Sequence, residues 1–328
     1  VVSEVVAVGE LVVGVDGSDG SRTALAWAVD EARLSGHDVV VVTVVGPREP
    51  ESTDVVVPAD AGRADQDMSR RAGALLEDVV APYADAGVRI TRVACHDGTT
   101  VQTLLQRSRD ADALIVGSRG LGVMRRLLLG SVSSQVVVHG TTTIVVVPQP
   151  SDERQRSDKV VVAVDGSQQA VAALRRAAVE AARRDWELEL VTVQPPPPAT
   201  GGHGQDRAAI DVYRWWTGWL TGDQARSPEA QQQDYQQLAV HWRNVALGQL
   251  DEALAQVDDT TLPGKVKTTV IAADHAADAL LDIAAWARLL VVGRRGRGGF
   301  TGMLLGSVSQ HCVRHATSPI MVVPMPAM

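Results

Sequence analysis

The sequence predicts an α/β fold made twice over: two tandem open parallel five-stranded sheets, each with helices on both faces. Three observations carry that expectation. Short valine-rich runs alternate with segments of helical periodicity. Runs such as Val39-Val40-Val41-Val42 show no polar alternation, as strands buried on both faces require. The landmarks of the first half also return in the second, which marks a duplicated domain.

In the first half, strands are expected near 11–16, 39–45, 88–94, 112–117 and 143–148, with helices near 19–36, 66–86, 98–109 and 131–139. In the second half, the matching strands fall near 160–165, 187–193, 266–272, 289–293 and 319–324. The repeat is explicit. Leu11-Val12-Val13-Gly14-Val15-Asp16-Gly17-Ser18 is echoed by Val160-Val161-Val162-Ala163-Val164-Asp165-Gly166-Ser167, and Thr143–Pro148 by Pro319–Pro324. Asp16 and Asp165 are 149 apart, while Gly117 and Gly293 are 176 apart, so the second copy carries a net insertion of 27 residues between those landmarks. The polar segment Pro148–Asp158 reads as a linker. The expected domains are 1–150 and 151–328, the second with an insertion around 195–245.

The chemistry concentrates in two glycine-rich stretches. Gly117-Ser118-Arg119-Gly120 is followed after nine residues by Gly130-Ser131, and Gly293-Arg294-Arg295-Gly296 after nine residues by Gly306-Ser307. Each follows a strand and precedes a helix. A missing Cβ lets backbone amides approach a ligand and permits positive φ, and a helix start adds unpaired N–H groups and the positive end of its dipole. Together the two elements could clasp a polyphosphate. The plainer alternative is a tight turn followed by an ordinary serine cap; its recurrence in both halves favours a ligand. In an open α/β sheet with strand order 3-2-1-4-5, the loops after strands one and four lie side by side at a crevice. That places Asp16 near Gly117 and Asp165 near Gly293. Each aspartate is either the N-cap or turn residue its position invites, or a carboxylate that accepts from a ribose hydroxyl or adenine amino group or holds a metal-bound water, with the nucleoside contact favoured. The arginines around the loops are left out of the site, since only Arg119 and Arg295 align.

Composition excludes several classes. The formal charge of −8 over 328 residues, with no basic stripe, argues against nucleic acid. No apolar run reaches membrane-spanning length, and Glu4 and Glu10 interrupt the oily N-terminal stretch, so neither a membrane helix nor a secretion signal is expected. Two cysteines without metal spacing make the cytoplasm the default compartment. There is no P-loop lysine motif and no dinucleotide fingerprint.

Taken together, the twice-met Gly-x-x-Gly, nine residues, Gly-Ser pattern, the Val-Asp-Gly-Ser at the end of the first strand and the closing Val-Val-Val-Pro strand resemble the universal stress protein family. The match is to a tandem member of its ATP-binding subgroup, with an adenine nucleotide alpha hydrolase-like fold. The resemblance implies phosphates on Gly117, Gly120, Gly130, Ser131 and Val132, with Asp16 and Val44 toward the nucleoside. In the second half it implies Gly293, Gly296, Gly306, Ser307 and Val308, with Asp165 and Val193. ATP is the implied cofactor, with Mg2+ as a candidate companion. Family members pair through their last strand, which implies an internal pseudo-dimer through Thr143–Val147 and Pro319–Val323, with a further homodimer open.

The second half departs from the first after Gln194, where Pro195–Pro198 leads into Tyr213, Trp215, Trp216 and Trp219. The rings either cover the sheet or form a partner surface or lid. His311 and His315, four apart, have no third metal ligand, and neither Cys312 nor Cys95-His96-Asp97 assembles a nucleophile with its base. No catalytic residue is assigned. The leading reading is a stress-response or signalling protein acting through nucleotide binding and contacts with an unknown protein partner. Slow ATP hydrolysis or adenylyl transfer, and a nucleotide-free interaction module, stand as alternatives.

Overall fold

The computed structural model describes residues 9–45, 61–96, 98–120, 129–149, 156–195, 228–297 and 304–325. The first half runs β1 (Glu10–Gly14), α1 (Asp19–Ser35), β2 (Asp38–Val44), α2 (Ala61–Val80), β3 (Ile90–Cys95), α3 (Thr100–Arg107), β4 (Ala113–Gly117), α4 (Ser131–His139) and β5 (Thr143–Val147). The second runs β6 (Ser157–Ala163), α5 (Gln168–Arg184), β7 (Glu187–Gln194), α6 (Pro228–Leu254), β8 (Val266–Ala272), α7 (Ala276–Ala284), β9 (Ala287–Gly293), α8 (Ser307–His315) and β10 (Ile320–Val323).

Each half forms a five-stranded parallel sheet in the expected 3-2-1-4-5 order, and the two sheets join into a single sheet ordered β3-β2-β1-β4-β5-β10-β9-β6-β7-β8. The one antiparallel joint is β5 against β10, with Ile320 opposite Val146 and Val322 opposite Ile144. The last strands therefore pair as the resemblance implied. An isolated half would present β5 or β10 as an open edge, and pairing them covers both.

Strand alternation explains the unbroken valine runs. Leu11, Val13, Ile115 and Val145 face α1, whose Leu25 and Val29 are fully buried. Val12, Leu114, Ile144 and Val146 face the opposite layer, with Leu104 of α3 and Val136 of α4. Both faces of the central strands exclude water, so polar alternation has no place there, whereas the edge strands β3 and β8 keep exposed positions. α1 and α5 begin identically: Ser18 accepts from the Ser21 amide at 3.2 Å, and Ser167 from the Ala170 amide at 3.1 Å. The preceding Gly17 and Gly166 have φ of 83° and 77°, which lets the chain turn from strand to helix there without a steric penalty.

Several boundaries differ from expectation: the helix expected near 66–86 runs Ala61–Val80 and gives way to a 3-10 turn over Ala81–Tyr83, where Pro82 enters. β1 stops at Gly14, two residues before Asp16, because Asp16 enters a side-chain-capped turn rather than the ladder. β6 starts at Ser157, inside the expected linker, because the Ser157 amide and hydroxyl both bond the Trp286 carbonyl, at 2.8 and 2.6 Å. The net insertion falls between β7 and β8: Val44 and Val193 are still 149 apart, whereas Ile90 and Val266 are 176 apart. α6 fills part of it. Its buried Ala246, Leu250 and Ala253 anchor it, while Val240 and Val245 are exposed and Trp242 is 37% exposed. Trp215, Trp216 and Trp219 lie outside the described residues.

A buried charge cluster sits where α1 and α5 meet. Glu31 and Glu180 occupy equivalent positions of the repeat and are almost wholly buried. Arg184 bonds both, donating to Glu31 Oε2 and, at 2.6 Å, to Glu180 Oε2. Arg183 lies 3.3 Å from Glu31, and Arg176 lies 2.8 Å from Glu180. Burial and the neighbouring Glu180 push the Glu31 carboxyl up. Burial would raise Glu180 as well, but Arg176 and Arg184 outweigh it and hold that carboxyl below the ordinary range. All three arginines come from α5; their first-half counterparts are Trp27, Leu34 and Ser35.

A third buried carboxylate, Glu189 on β7, accepts from Lys159 at 2.6 Å, Lys267 at 2.9 Å and Thr269 at 2.8 Å. Burial opposes its ionisation, yet these three partners hold its pKa down to about 2, against an ordinary 4.5. A depressed carboxylate stabilises the fold above its unfolded pKa, and the contribution fades as pH falls through the window between the two values. Stability in urea is therefore expected to decline from about pH 4.5 toward about pH 2. In Glu189→Gln that part of the slope is absent, and an unaltered slope would refute the assignment.

Candidate functional site

The loops after β6 and β9 open a half-open cleft at the carboxyl ends of the strands, about 520 Å3 counted together with the solvent at its mouth. Of the residues expected there, Asp165, Val193, Gly293, Gly296 and Val308 line it together; Gly306 and the exposed Ser307 are not among its lining residues, and the Gly306 amide bonds Arg294 O at 2.9 Å. Val193 keeps its place despite the insertion because β7 continues to Gln194 and pairs with β8 in register, Val193 opposite Ile271. Arg295, Leu280 and Ser309 complete the wall and were not foreseen. With the offsets of 149 and 176, every lining residue except Ala163, Ala170 and Ala276 has a counterpart of the same type in the first half; those three correspond to Gly14, Ser21 and Thr100. Asp16, Val44, Gly117, Gly120 and Val132 are thus the matching set. Residues 46–60 and 121–128 of that half, with Arg125 and Arg126, lie outside the described residues.

The glycines divide into two kinds. None of the six has positive φ, so conformational freedom is not what they provide. A Cβ on Gly117 would lie 2.6 Å from the Gly20 carbonyl carbon, and one on Gly293 would lie 3.0 Å from Gln169 O, so backbone packs on backbone where the loop meets α1 or α5. A Cβ on Gly120 or Gly296 would lie 2.2 Å from an Oδ2 of Asp16 or Asp165. Gly130 and Gly306 differ. A Cβ there would find ordinary contacts, at 3.5 Å and 3.4 Å, with φ of −74° and −72° that any residue adopts. Gly117→Ala should therefore cost about 1–3 kcal/mol in denaturant unfolding, whereas Gly130→Ala should cost far less.

Gly130 and Gly306 are the N-caps of α4 and α8, so Ser131 and Ser307 are first-turn residues and not the caps that the plainer reading would make them. Neither glycine offers a side-chain oxygen to the first-turn amides. The next serines of the repeat hold the clasp in shape. Ser133 Oγ donates to Ser118 O and Gly130 O, both at 3.1 Å, and Ser309 Oγ to Gly293 O at 2.6 Å. Both were legible in the paired Gly-Ser-Val-Ser.

Asp16 Oδ1 accepts from the Ser18 amide at 3.0 Å and its hydroxyl at 2.6 Å. Asp165 accepts from the Ser167 amide at 3.0 Å and the Arg297 amide at 2.8 Å. The turn role of each aspartate is thus real, and Asp165 pins the glycine loop to the end of β6. A carboxylate has about four acceptor directions, so these two bonds do not exhaust those of Asp165. Arg294, adjacent to the loop glycine, is turned away from the cleft and donates from Nε to Leu304 O at 2.8 Å.

The other sequence candidates have structural partners. His311 pairs with Asp278 at 3.0 Å and stacks on His315, while burial pushes the Cys312 thiol up to about 12, which removes it as a nucleophile near neutral pH. Among the described residues no group of three or more His, Cys, Asp or Glu is placed to hold a metal ion, and no helix is long and apolar enough to cross a membrane.

Two open parallel sheets sharing a pseudo-two-fold joint, with repeated glycine loops at the β1/β4 and β6/β9 crevices, define a tandem α/β protein with paired crevices. Comparison with known proteins gives its family. A sequence model of the universal stress protein family matches residues 9–148, 156–214 and 219–324. The chain is 31% identical over 336 residues to a universal stress protein of Mycobacterium tuberculosis, covering 96% of this chain and 95% of the relative. It is 29% identical over 336 residues to one of Mycolicibacterium smegmatis, covering 95% and 96%. The crystal structure of a universal stress protein from Archaeoglobus fulgidus shares the fold, with a TM-score of 0.62 at 19% identity, over 96% of this chain and 98% of that one. The chain belongs to the universal stress protein family.

Proposed function

We propose that the protein binds ATP, one molecule to each half, and acts in stress response through the nucleotide-dependent state of its surface rather than by turnover. The observation that carries this reading is the pair of glycine N-caps. Ser, Thr, Asp or Asn is the favoured N-cap and would fit both positions, yet both carry the residue that leaves the first-turn amides open. An anion at such a helix start receives those amides and the helix dipole, and the adjoining Gly-x-x-Gly loop supplies the second wall. Val44 and Val193 would flank the nucleoside, with Asp16 and Asp165 as its acceptors. Mg2+ would enter with the triphosphate, as the described residues offer no carboxylate cluster of their own.

The domains 1–150 and 151–328 would each carry one site. A homodimer, and a protein partner docking near the tryptophan-rich insertion, extend the same reading, with the cytoplasm as the setting. Chromatography of whatever small molecule the purified protein releases on denaturation tests it directly. ATP at a hundred times its Kd should raise unfolding free energy by about 2.7 kcal/mol for each site filled. A melting curve that ATP leaves in place would remove the proposal.

A further inference from the structure

Arg294 follows the first glycine of the second loop, yet its guanidinium crosses into the other half. Nη1 donates to Gly140 O and Nη2 to Val138 O, at the carboxyl end of α4. α4 is the helix whose amino end, at Gly130, Ser131 and Val132, forms the proposed clasp of the first site. Arg294 is equally fixed on its own side. Its amide bonds Val323 O at 2.9 Å, its carbonyl accepts from the Gly306 amide at 2.9 Å, and Nε bonds Leu304 O. One residue thus joins the second glycine loop, the entry to α8, the end of β10 and the last turn of α4.

Among the described residues the bridge runs in one direction only. The counterpart of Arg294 is Ser118, buried and too short to reach α8. The last turn of α8 carries an arginine of its own, Arg314, beside His315, whereas that of α4 carries His139 and neither arginine nor lysine. A guanidinium on the final carbonyls satisfies acceptors the helix leaves open and complements the negative end of its dipole. Arg294 therefore supplies to α4 what α8 carries in its own sequence.

We infer that Arg294 is a positioning residue that couples the two nucleotide sites with positive sign: filling the second site steadies α4 and so tightens the first. This rests on the proposed nucleotide sites. A ligand gripped by residues 293–296 and the start of α8 restrains the backbone that carries Arg294, and Arg294 then holds the far end of the helix that grips the other ligand. Linkage makes the effect reciprocal, so the first ligand strengthens the second by the same factor.

The test uses the full chain, ATP and a closed binding cycle. Gly306→Asp leaves the first site alone to bind, and Gly130→Asp the second. The product of the two association constants in the unmodified protein should exceed the product of the single-site constants about fivefold, the low end for coupled sites. In Arg294→Gln the ratio should fall to one, and Arg294→Lys, which keeps the charge without the fork, should lie between. Hydrogen exchange supplies a readout without nucleotide: Arg294→Gln should speed exchange in the last turn of α4 while leaving the last turn of α8 unchanged. A ratio of one in the unmodified protein, a ratio that persists in Arg294→Gln, or unaltered α4 exchange each overturns the inference while nucleotide binding itself stands. Failure of every variant and the parent to bind ATP overturns the functional reading first, and this coupling with it.

Discussion

Replacing both N-cap glycines by aspartate, Gly130→Asp with Gly306→Asp, should weaken ATP binding by about a hundredfold or more and leave the protein at least as stable as before. The two halves of that expectation come from one geometry. A Cβ at either position meets only ordinary contacts, and the extended backbone there is what an aspartate cap adopts. Aspartate caps the first turn through its own carboxylate, typically a few tenths of a kcal/mol better than glycine. It thereby occupies the amides the phosphates would use and sets a negative charge against them. Losing two charge-assisted hydrogen bonds at about 1.5–3 kcal/mol each weakens binding by roughly a hundredfold or more. Calorimetric titration with ATP, paired with a thermal melt, separates the outcomes. Retained affinity in the double variant would mean that the glycines serve only the turn, and a collapsed melt would mean that they are needed by the fold.

Arg184→Met should be the most destabilising single change at the joint between the halves, costing about 3–5 kcal/mol in urea unfolding. Arg184 is 9% exposed and bonds both Glu31 and Glu180, themselves at 1% and 0%. Removing it leaves two buried carboxylates that face one another, with Arg183 and Arg176 only at the margins. A buried pair is costly to break yet need not be stabilising against apolar packing. The triple change Glu31→Met, Glu180→Met and Arg184→Met should therefore recover most of the loss, since Arg176 and Arg183 are exposed enough to turn to water. If the single variant unfolds within about 1 kcal/mol of the parent, the cluster is better solvated than its burial implies.

That cluster could not have been found by periodicity. Glu31 and Glu180 are 149 residues apart, the offset of the repeat, so the sequence placed them at equivalent positions without saying that the two would touch. Contact requires α1 and α5 to cross at the joint, and the crossing depends on how β5 and β10 pair. Arg294 is a similar case. By sequence it belongs with the other loop arginines, and its reach into α4 follows from the packing of one half on the other. The positive φ expected of the motif glycines is found instead at Gly17 and Gly166, because the demand on the loop glycines is close approach of Gly20 and of the aspartate carboxylates. Ser133 and Ser309 stood in plain view in the repeated Gly-Ser-Val-Ser, but their bonds close only when the loop folds back on the helix start.

The strands, the duplication and the glycine loops were readable from residues close together along the chain, while the caps of α1 and α5 fell on Ser18 and Ser167 and not on Asp16 and Asp165. Valine runs, turn glycines and caps act on their neighbours, so local order carries their meaning. The continuous sheet, the charged joint between α1 and α5, the division of the glycines into those the fold requires and those it does not, and the bridge from Arg294 to α4 arise between residues far apart in the chain. Their partners are selected by the angle and register at which two similar halves pack, which short-range pattern does not encode.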